Sequence, residues 1–387
     1  MTEERQHALL SASAAHRWIA CPPSARIGEH KEDKSTRYAD EGTEAHILGE
    51  FKVKQALGLA DASQSPVPSM KYFNSEMDDY TTDYAVFVLE LMEKAYQISK
   101  DPILIQEQRL DYSKYAPEGF GTCDVVIVAD KTLYVADFKY GAGVLVDAEN
   151  NPQLMLYALA ALDTYDGIYD IEEVCMAIYQ PRREHTSFCN KTADELRQWA
   201  EEVVIPAATL AYAGEGEFNV GDHCQFCRAK AECRARAEHN MALTKEAFKL
   251  PPLLDDDEIP TILSQLDELV NWANSVKEYA FQEALKGKKW DGYKIVAGRA
   301  GNRKFTDDKA VAKAATAAGY TNIYRQSLIT LTAMERMMGK AEFRKVLGDL
   351  ITKPPGKPAL VPNSDKRKPM ELMTAVEAFA AEPIQDE

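Results

Sequence analysis

The sequence predicts an α/β protein in which helices flank a central mixed sheet. Two apolar runs, residues 125–129 and 133–136, are separated by the polar pair Asp130-Lys131, a pattern typical of a β-hairpin. Apolar residues at helical spacing occur before and after this hairpin, as in residues 38–59. The hairpin therefore lies between helices that can cover its apolar side chains.

The other elements follow from the same periodicities. The helices predicted before residue 290 lie at 38–59, 74–99, 151–162, 194–213 and 259–285, and the strands at 103–110, 144–146 and 173–180. Further on, the pattern predicts a short strand at 290–299 and helices at 307–318 and 332–351. We expect four segments: a core with the cysteines at 1–250, a linking amphipathic helix at 251–289, a small, mostly helical α+β appendage at 290–352, and an extended Pro- and Lys-rich tail at 353–387.

Composition narrows the class of protein. The 387 residues are 45% hydrophobic and 27% charged, as in ordinary globular chains, and the net charge of −16 argues against a protein that coats nucleic acid. No apolar run approaches the roughly 20 residues of a membrane span. The first residues are too polar for the apolar core of a signal peptide. We expect a cytoplasmic protein with no membrane partner.

Charged residues end the predicted hairpin. Asp137 and Lys139 are two positions apart and so share one face of a strand, and the paired strand can bring Asp124 beside them. Two carboxylates and a lysine at the ends of buried strands are costly unless they have a partner. A hard divalent cation, which prefers carboxylate oxygens, would be such a partner.

The seven cysteines are unevenly placed. Cys224, Cys227 and Cys233 form a C-x2-C-x5-C motif, while Cys21 stands alone near the start. In a reducing compartment this pattern indicates metal ligation rather than disulfides. Thiolates suit both zinc and iron–sulfur clusters, and ligand chemistry alone favours zinc.

Four short motifs then occur in one order. They are Gly42-x-x-x-His46, Gly121-x-x-Asp124, Asp137-Phe138-Lys139 and Gln153-x-x-x-Tyr157. Together with the cysteines they resemble the RecB-like branch of the PD-(D/E)xK nuclease superfamily, and most closely its iron–sulfur exonucleases of the AddB and CRISPR-adaptation types. The resemblance covers roughly residues 11–240. The acidic residue of the third motif is Asp instead of Glu, which that family tolerates.

The resemblance implies a restriction-endonuclease-like core and a specific set of site residues. It implies Mg²⁺ or Mn²⁺ bound by His46, Asp124, Asp137 and the backbone carbonyl of Phe138. It gives catalytic roles to Asp124 and Asp137 and to three further residues, namely Lys139, Gln153 and Tyr157. Cys21, Cys224, Cys227 and Cys233 would hold a [4Fe–4S] cluster that staples the core, with Zn²⁺ as the alternative.

The implied function is a metal-dependent DNA exonuclease of phage recombination or DNA processing in a bacterial host cytoplasm. The implied partners are single-stranded or end-opened duplex DNA and phage recombination or replication proteins. A DNA-binding scaffold of a recombination complex and a structure-specific endonuclease are the alternatives. Candidate contacts to DNA are basic residues, namely Arg182, Arg183, Arg299, Arg303, Lys304, Lys366 and Lys368.

Overall fold

The computed structural model describes residues 8–29, 37–165, 167–246, 258–296 and 331–347, together with positions 312, 313, 317 and 350. The chain forms two compact units. One comprises Met1–Asp255 and Gln265–Gly301, and the other comprises Asp256–Ser264 and Asn302–Glu387. The four segments expected from the sequence stay predictions, because most of the appendage and the whole tail lie outside the described residues.

The first unit alternates helices and strands around one sheet. Its helices are α1 (Ala15–Ala20), α2 (Arg37–Ala56), α3 (Ser75–Ile98), α4 (Pro152–Tyr165), α5 (Ala193–Trp199), α6 (Ile205–Ala213) and α7 (Arg234–Glu246), with a π-helical turn, Ala200–Val204, between α5 and α6. Its strands are β1 (Ile103–Asp111), β2 (Phe120–Ala129), β3 (Thr132–Phe138), β4 (Glu173–Gln180) and β5 (His185–Thr192). Helix α8 (Glu258–Leu285) begins in the second unit and continues into the first.

The five strands form a mixed sheet in sequential order, β1-β2-β3-β4-β5. Strands β2 and β3 are the predicted antiparallel hairpin, and Asp130 at its turn adopts a left-handed φ of 48°. Strand β4 runs parallel to β3 because α4 carries the chain back across the sheet. Strands β1 and β5 pair antiparallel at the two edges. The prediction of an α/β fold with a mixed sheet between helices is confirmed.

Both faces of the sheet are covered. Val126 and Val128 pack with α1, α4, α5 and α6 on one face, while Val125 and Ile127 pack with α2 and α3 on the other. Successive side chains of a strand point to opposite faces, so an unbroken apolar run is what a strand buried on both sides requires. The site described below lies at one end of this buried hairpin.

Two predicted strands are wrong, and one strand was missed. Residues 144–146 form a loop, whose backbone groups bond to a side chain of β4 and not to a neighbouring strand. Residues 290–296 are turn and irregular structure, and 297–299 lie outside the described residues. Strand β5 escaped prediction because its sequence, HTSFCNKT, is mostly polar, as suits an edge strand that alternates between exposed and half-buried positions.

The second unit contributes two short helices to the described residues, α9 (Leu331–Met338) and α10 (Lys340–Leu347). They replace the single helix predicted at 332–351, because Gly339 between them has a left-handed φ of 77°. Within the part of the chain that the structure describes, no helix combines the length and apolar character needed to cross a membrane.

Candidate metal centre and cysteine cavity

Two buried carboxylates lie side by side at one end of the hairpin. Asp124 in β2 and Asp137 in β3 face each other one register position beyond the pair Val125–Ala136. They are only 7% and 4% exposed, respectively. The backbone N–H of Phe138 donates to Asp124 Oδ2 at 2.6 Å, which fixes that carboxylate against the neighbouring strand. The strand pairing alone therefore brings two of the predicted ligands together.

His46 reaches the same place from helix α2. Its Nδ1 lies 3.2 Å from Asp124 Oδ1, and its side chain is 32% exposed. Burial lowers the pKa of His46, but the carboxylates of Asp124, Asp137 and Glu107 outweigh this and raise the pKa to about 9. The imidazole thus sits in a strongly negative environment, which would equally attract a metal cation.

Glu107 belongs to none of the four motifs, but it joins His46 and Asp124 in a group of three possible ligands. Ligand atoms of His46, Glu107 and Asp124 all lie within 4.8 Å of one another. Glu107 stands opposite Asp124 in the β1–β2 register, between the pairs Gln106–Val125 and Gln108–Cys123, and has a left-handed φ of 50°. Desolvation and repulsion by Asp124 raise the pKa of Glu107 to about 7, although His46 opposes this shift.

From strand periodicity alone, Glu107 is expected to be an ordinary edge-strand glutamate. Strand β1 is indeed an edge strand, but the local backbone conformation of this residue sets it among the ligands. A left-handed φ at a non-glycine residue leaves no signature in a single sequence, since glutamate has no preference for that conformation. The acidic residue of β1 could be recognised only from the structure.

Asp137 forms a second set of contacts beside this group. Its Oδ1 accepts a hydrogen bond from Gln153 Nε2 at 2.7 Å, and its Oδ2 lies 2.9 Å from Lys139 Nζ. Lys139 Nζ also donates to Gln153 Oε1 at 2.9 Å, so the three side chains contact one another in a closed ring. Burial raises the pKa of Asp137, while the nearby ammonium of Lys139 works in the opposite direction.

Tyr157 lies one helical turn after Gln153 in α4 and is buried. A Cβ on Gly121 would lie 2.9 Å from the ring of Tyr157 and 3.0 Å from its hydroxyl oxygen, so only glycine fits at that position of β2. Burial and the charge of Asp137 raise the pKa of the Tyr157 phenol, which keeps it a hydrogen-bond donor. The glycine of Gly121-x-x-Asp124 is therefore needed because Tyr157 of the Gln153-x-x-x-Tyr157 motif occupies the space beside it.

These residues fit a hard divalent cation. Asp137 Oδ2 is buried and, despite the nearby lysine, has no hydrogen bond of acceptable geometry. Three carboxylates and an imidazole converge here, and their mutual repulsion is unfavourable without a cation. Oxygen ligands suit Mg²⁺ and Mn²⁺, and the imidazole shifts the preference towards Mn²⁺. The carbonyl of Phe138, next in sequence to Asp137, remains an expected ligand.

All four cysteines of the predicted cluster line a single cavity. Cys21 follows α1, and Cys224, Cys227 and Cys233 precede α7, about 200 residues later in the chain. Each carries a free thiol. Cys123, Cys175 and Cys189 are not among the cavity's lining residues. The fold thus brings the lone N-terminal cysteine to the C-x2-C-x5-C motif.

The spacing of the sulfur atoms bears on which metal group fits. Within the described residues, no three cysteine sulfurs lie within 4.8 Å of one another. A single tetrahedral zinc ion would draw its thiolates to within about 4 Å of one another, whereas an iron–sulfur cluster has its own iron and sulfide atoms between the thiolates. In the part of the chain that the structure describes, the thiols are thus not gathered as the ligands of one tetrahedral ion would be.

Two further residues of the cavity were not anticipated. A hydrogen bond to Cys21 is the main cause that raises the pKa of His223, whose Nε2 also lies 3.0 Å from the carbonyl oxygen of Asn219. Arg236 of α7 lines the cavity and is fully buried. Its guanidinium makes a bidentate ion pair with Glu268 of α8, at 2.5 and 2.9 Å. The sequence offered no sign of this pair, whose members are 32 residues apart.

The predicted DNA contacts are only partly within the described residues. Arg182 is engaged in the fold: it pairs with Glu41 at 3.3 Å and Glu76 at 2.8 Å, and its guanidinium lies 4.6 Å from the ring centroid of Tyr140. Arg183 donates a weak bond to the carbonyl of Ala142. The remaining candidates lie outside the described residues, namely Arg299, Arg303, Lys304, Lys366 and Lys368.

A family model described as a protein of unknown function, DUF2800, matches residues 7–368. The chain belongs to the DUF2800 family. Solved structures similar to this DUF2800 protein include the crystal structure of SSO0001, with 13% identity and a TM-score of 0.24 over 60% of this chain and 90% of that one. Another is a phage related exonuclease from Haemophilus somnus 129PT, with 12% identity and a TM-score of 0.21 over 52% of this chain and 96% of that one. Likenesses this weak carry no argument about this DUF2800 protein, so its function has to be argued from its own residues.

Proposed function

We propose that this protein is a metal-dependent DNA exonuclease. The observation that carries the proposal is the convergence of His46, Glu107 and Asp124 within 4.8 Å, directly beside the contacts that join Asp137, Lys139 and Gln153. Cation ligands next to a half-buried lysine suit phosphodiester hydrolysis, because the reaction needs an activated water and neutralisation of charge on the phosphate. The resemblance to RecB-like nucleases, which includes all of these residues except Glu107, supports this proposal.

His46, Asp124 and Asp137, with the carbonyl of Phe138, would hold Mg²⁺ or Mn²⁺, which when bound lowers the pKa of water and polarises the phosphate. Asp124 is oriented for this role by the N–H of Phe138. Asp137 is oriented by Gln153, whose amide nitrogen donates to Oδ1 and leaves Oδ2 without a well-aligned partner. We also propose Glu107 as a ligand from the edge strand.

Lys139 would orient the attacking water and offset the charge that develops on the phosphate. Its ammonium is held by Asp137 and Gln153, and it stays charged because Asp137 raises its pKa against the effect of burial. Gln153 keeps both Asp137 and Lys139 in place. Tyr157 stays protonated and would position the nucleic acid strand near the scissile phosphate.

We further propose that Cys21, Cys224, Cys227 and Cys233 hold a [4Fe–4S] cluster with a structural role. Support comes from their shared cavity and their free thiols, together with the resemblance stated above. Such a cluster would tie the chain near α1 to the chain before α7. Anaerobically purified protein should then be brown, whereas a colourless protein with stoichiometric zinc would overturn this assignment.

The proposed substrate is single-stranded or end-opened duplex DNA, in phage recombination or DNA processing within a bacterial cytoplasm. Phage recombination or replication proteins are proposed partners. The substrate proposal follows from the resemblance and from the nature of the site, since the metal ligands and Lys139 act on a phosphodiester and not on a base.

The test is cleavage of matched linear and circular DNA by the purified protein with Mn²⁺ and with Mg²⁺. An exonuclease degrades linear DNA and leaves covalently closed circles intact, because it needs an end. Asp137→Ala and Lys139→Ala should abolish cleavage while circular dichroism shows an intact fold. Retained cleavage in both variants would remove the site assignment.

The same assay separates the alternatives. Cleavage of circular DNA would identify an endonuclease. Binding without turnover, unaffected by Asp124→Ala, would identify a DNA-binding scaffold. Intact linear DNA with both metals, from protein whose cysteine cavity is loaded, would contradict the proposal.

A further inference from the structure

The loop at residues 141–151 joins two parts of the proposed active site. Lys139 lies between the end of β3 at Phe138 and the start of the loop, and Gln153 is the second residue of α4, which follows the loop. Lys139 Nζ and Gln153 Oε1 are only 2.9 Å apart, so the two ends of the loop meet at the site. The loop is therefore anchored at the proposed active site at both of its ends.

Gln180, a buried residue at the end of β4, fixes the shape of the loop. Its Nε2 donates to the carbonyl oxygens of Gly141 and Val144 at 2.9 and 3.0 Å, and its Oε1 accepts from Val146 N at 3.1 Å. Further along, Ala148 N donates to Ser187 Oγ at 3.0 Å. The side chains of Gln180 and Ser187 thus take the place of a neighbouring strand as hydrogen-bond partners of the loop backbone. These bonds give the loop a defined conformation although it pairs with no strand.

The tip of the loop is apolar and faces outward. Val144 is 54% exposed and Leu145 45% exposed. Residues 141–146 read GAGVLV and carry no charge. Two adjacent apolar side chains on a loop held by a buried glutamine offer a fixed apolar surface, and an uncharged tip suits the faces of bases better than phosphates.

We propose that Val144 and Leu145 form an apolar wedge that stacks against the terminal base pair of a DNA duplex and opens it for the strand entering the active site. This inference rests on the proposed nuclease function and extends it to the way a duplex end is received. Apolar side chains inserted at base steps unstack them, and contacts between protein and base offset the cost of unstacking. Gln180 supplies the preorganisation, because a mobile tip would lose this contact energy to ordering.

The experiment compares the full-length, metal-loaded protein with the double variant V144S/L145S on two substrates, a blunt duplex and the single strand of the same sequence. We expect the variant to lower the duplex rate about tenfold more than the single-strand rate, since only the duplex has a terminal base pair to unstack. The matched control is Ile168→Ser. Ile168 is equally apolar and 77% exposed, and it lies before β4, at the opposite end of the sheet from Asp137.

A second readout does not need turnover. Duplex with 2-aminopurine in its terminal base pair should gain fluorescence on binding to the cleavage-deficient Asp137→Asn protein, and lose this gain when V144S/L145S is added to that background. Equal rate losses on both substrates, or unchanged duplex rates, would overturn the wedge. If the wild-type protein cleaves neither substrate, the nuclease proposal fails, and the fluorescence result alone then decides whether the tip opens duplex ends.

Discussion

Gln153 and Lys139 are in direct contact: the ammonium of the lysine donates to the amide oxygen of the glutamine at 2.9 Å. The amide nitrogen of the same glutamine donates to Asp137 at 2.7 Å. One neutral side chain on α4 thus fixes a carboxylate at the end of β3 and the ammonium that follows this strand, and it can do so because an amide offers a donor and an acceptor at once. Neither glutamate nor leucine could hold both partners.

Gln153→Ala should therefore lower kcat about 10- to 100-fold, because Lys139 and Asp137 lose their common orienting partner. KM should change much less, since the glutamine acts through the other two side chains. Steady-state cleavage of linear DNA measures both constants. Gln198→Ala is the control, because the amide of Gln198 donates to Glu202 on an exposed helix surface. A rise in KM with unchanged kcat would show that Gln153 binds substrate and does not position the pair.

Glu107→Gln should weaken Mn²⁺ binding about tenfold, since an amide oxygen is a poorer ligand than a carboxylate for a hard cation. Titration calorimetry on metal-free protein measures the affinity. The control is Glu173→Gln, an exposed glutamate at the start of β4. Equal affinities of the wild-type protein and Glu107→Gln would show that Glu107 is a neighbour of the metal site and not a ligand.

Gly121→Ala and Gly42→Ala should have opposite effects on stability. A Cβ at position 121 would overlap the buried ring of Tyr157 at 2.9 Å, and overpacking of this kind costs about 1–3 kcal/mol. A Cβ at position 42, inside α2, meets nothing within 4 Å and should stabilise the protein by about 0.5–1 kcal/mol. Urea denaturation gives the free energy of unfolding of each variant. Equal destabilisation by both changes would show that the overlap with Tyr157 is not what excludes a side chain at Gly121.

Cys224→Ser should abolish the visible absorbance of the anaerobically purified protein and lower its Tm, because the free energy of binding a structural metal group is also free energy of folding. Cys189→Ser, at a half-buried position of β5 that does not line the cavity, should leave both unchanged. Loss of cluster absorbance from the control protein as well would remove the assignment of the four ligands.

The hairpin and the helices around it could be predicted because their information is local. The uninterrupted apolar run of β2 requires burial on both faces, and the polar turn at Asp130 requires reversal of the chain. The 144–146 segment shows the limit of such reasoning. Its β-branched and apolar residues have the composition of a strand, but Gln180, more than 30 residues away, satisfies its backbone and leaves Val144 and Leu145 outside.

The residues of the candidate site likewise fall into those that local sequence predicts and those that depend on the folded chain. Asp124, Asp137 and Lys139 follow from strand alternation, and the motif order adds His46 and Gln153. Glu107 depends on one backbone angle, and His223 on a hydrogen bond between segments about 200 residues apart. Interactions of that kind are properties of the folded chain and leave no periodic trace in the sequence.

The buried ion pair between Arg236 and Glu268 has a consequence for how the cysteine cavity comes apart. The guanidinium of Arg236 has no exposed surface, so breaking its ion pair with Glu268 would leave a buried charge without a partner, at a cost of about 3–5 kcal/mol. Arg236 also forms part of the cavity wall, so opening the cavity and releasing residues 265–285 of α8 become one cooperative event. Amide hydrogens around the four cysteines and around Glu268 should then exchange with solvent with a shared free energy, as a single unfolding unit.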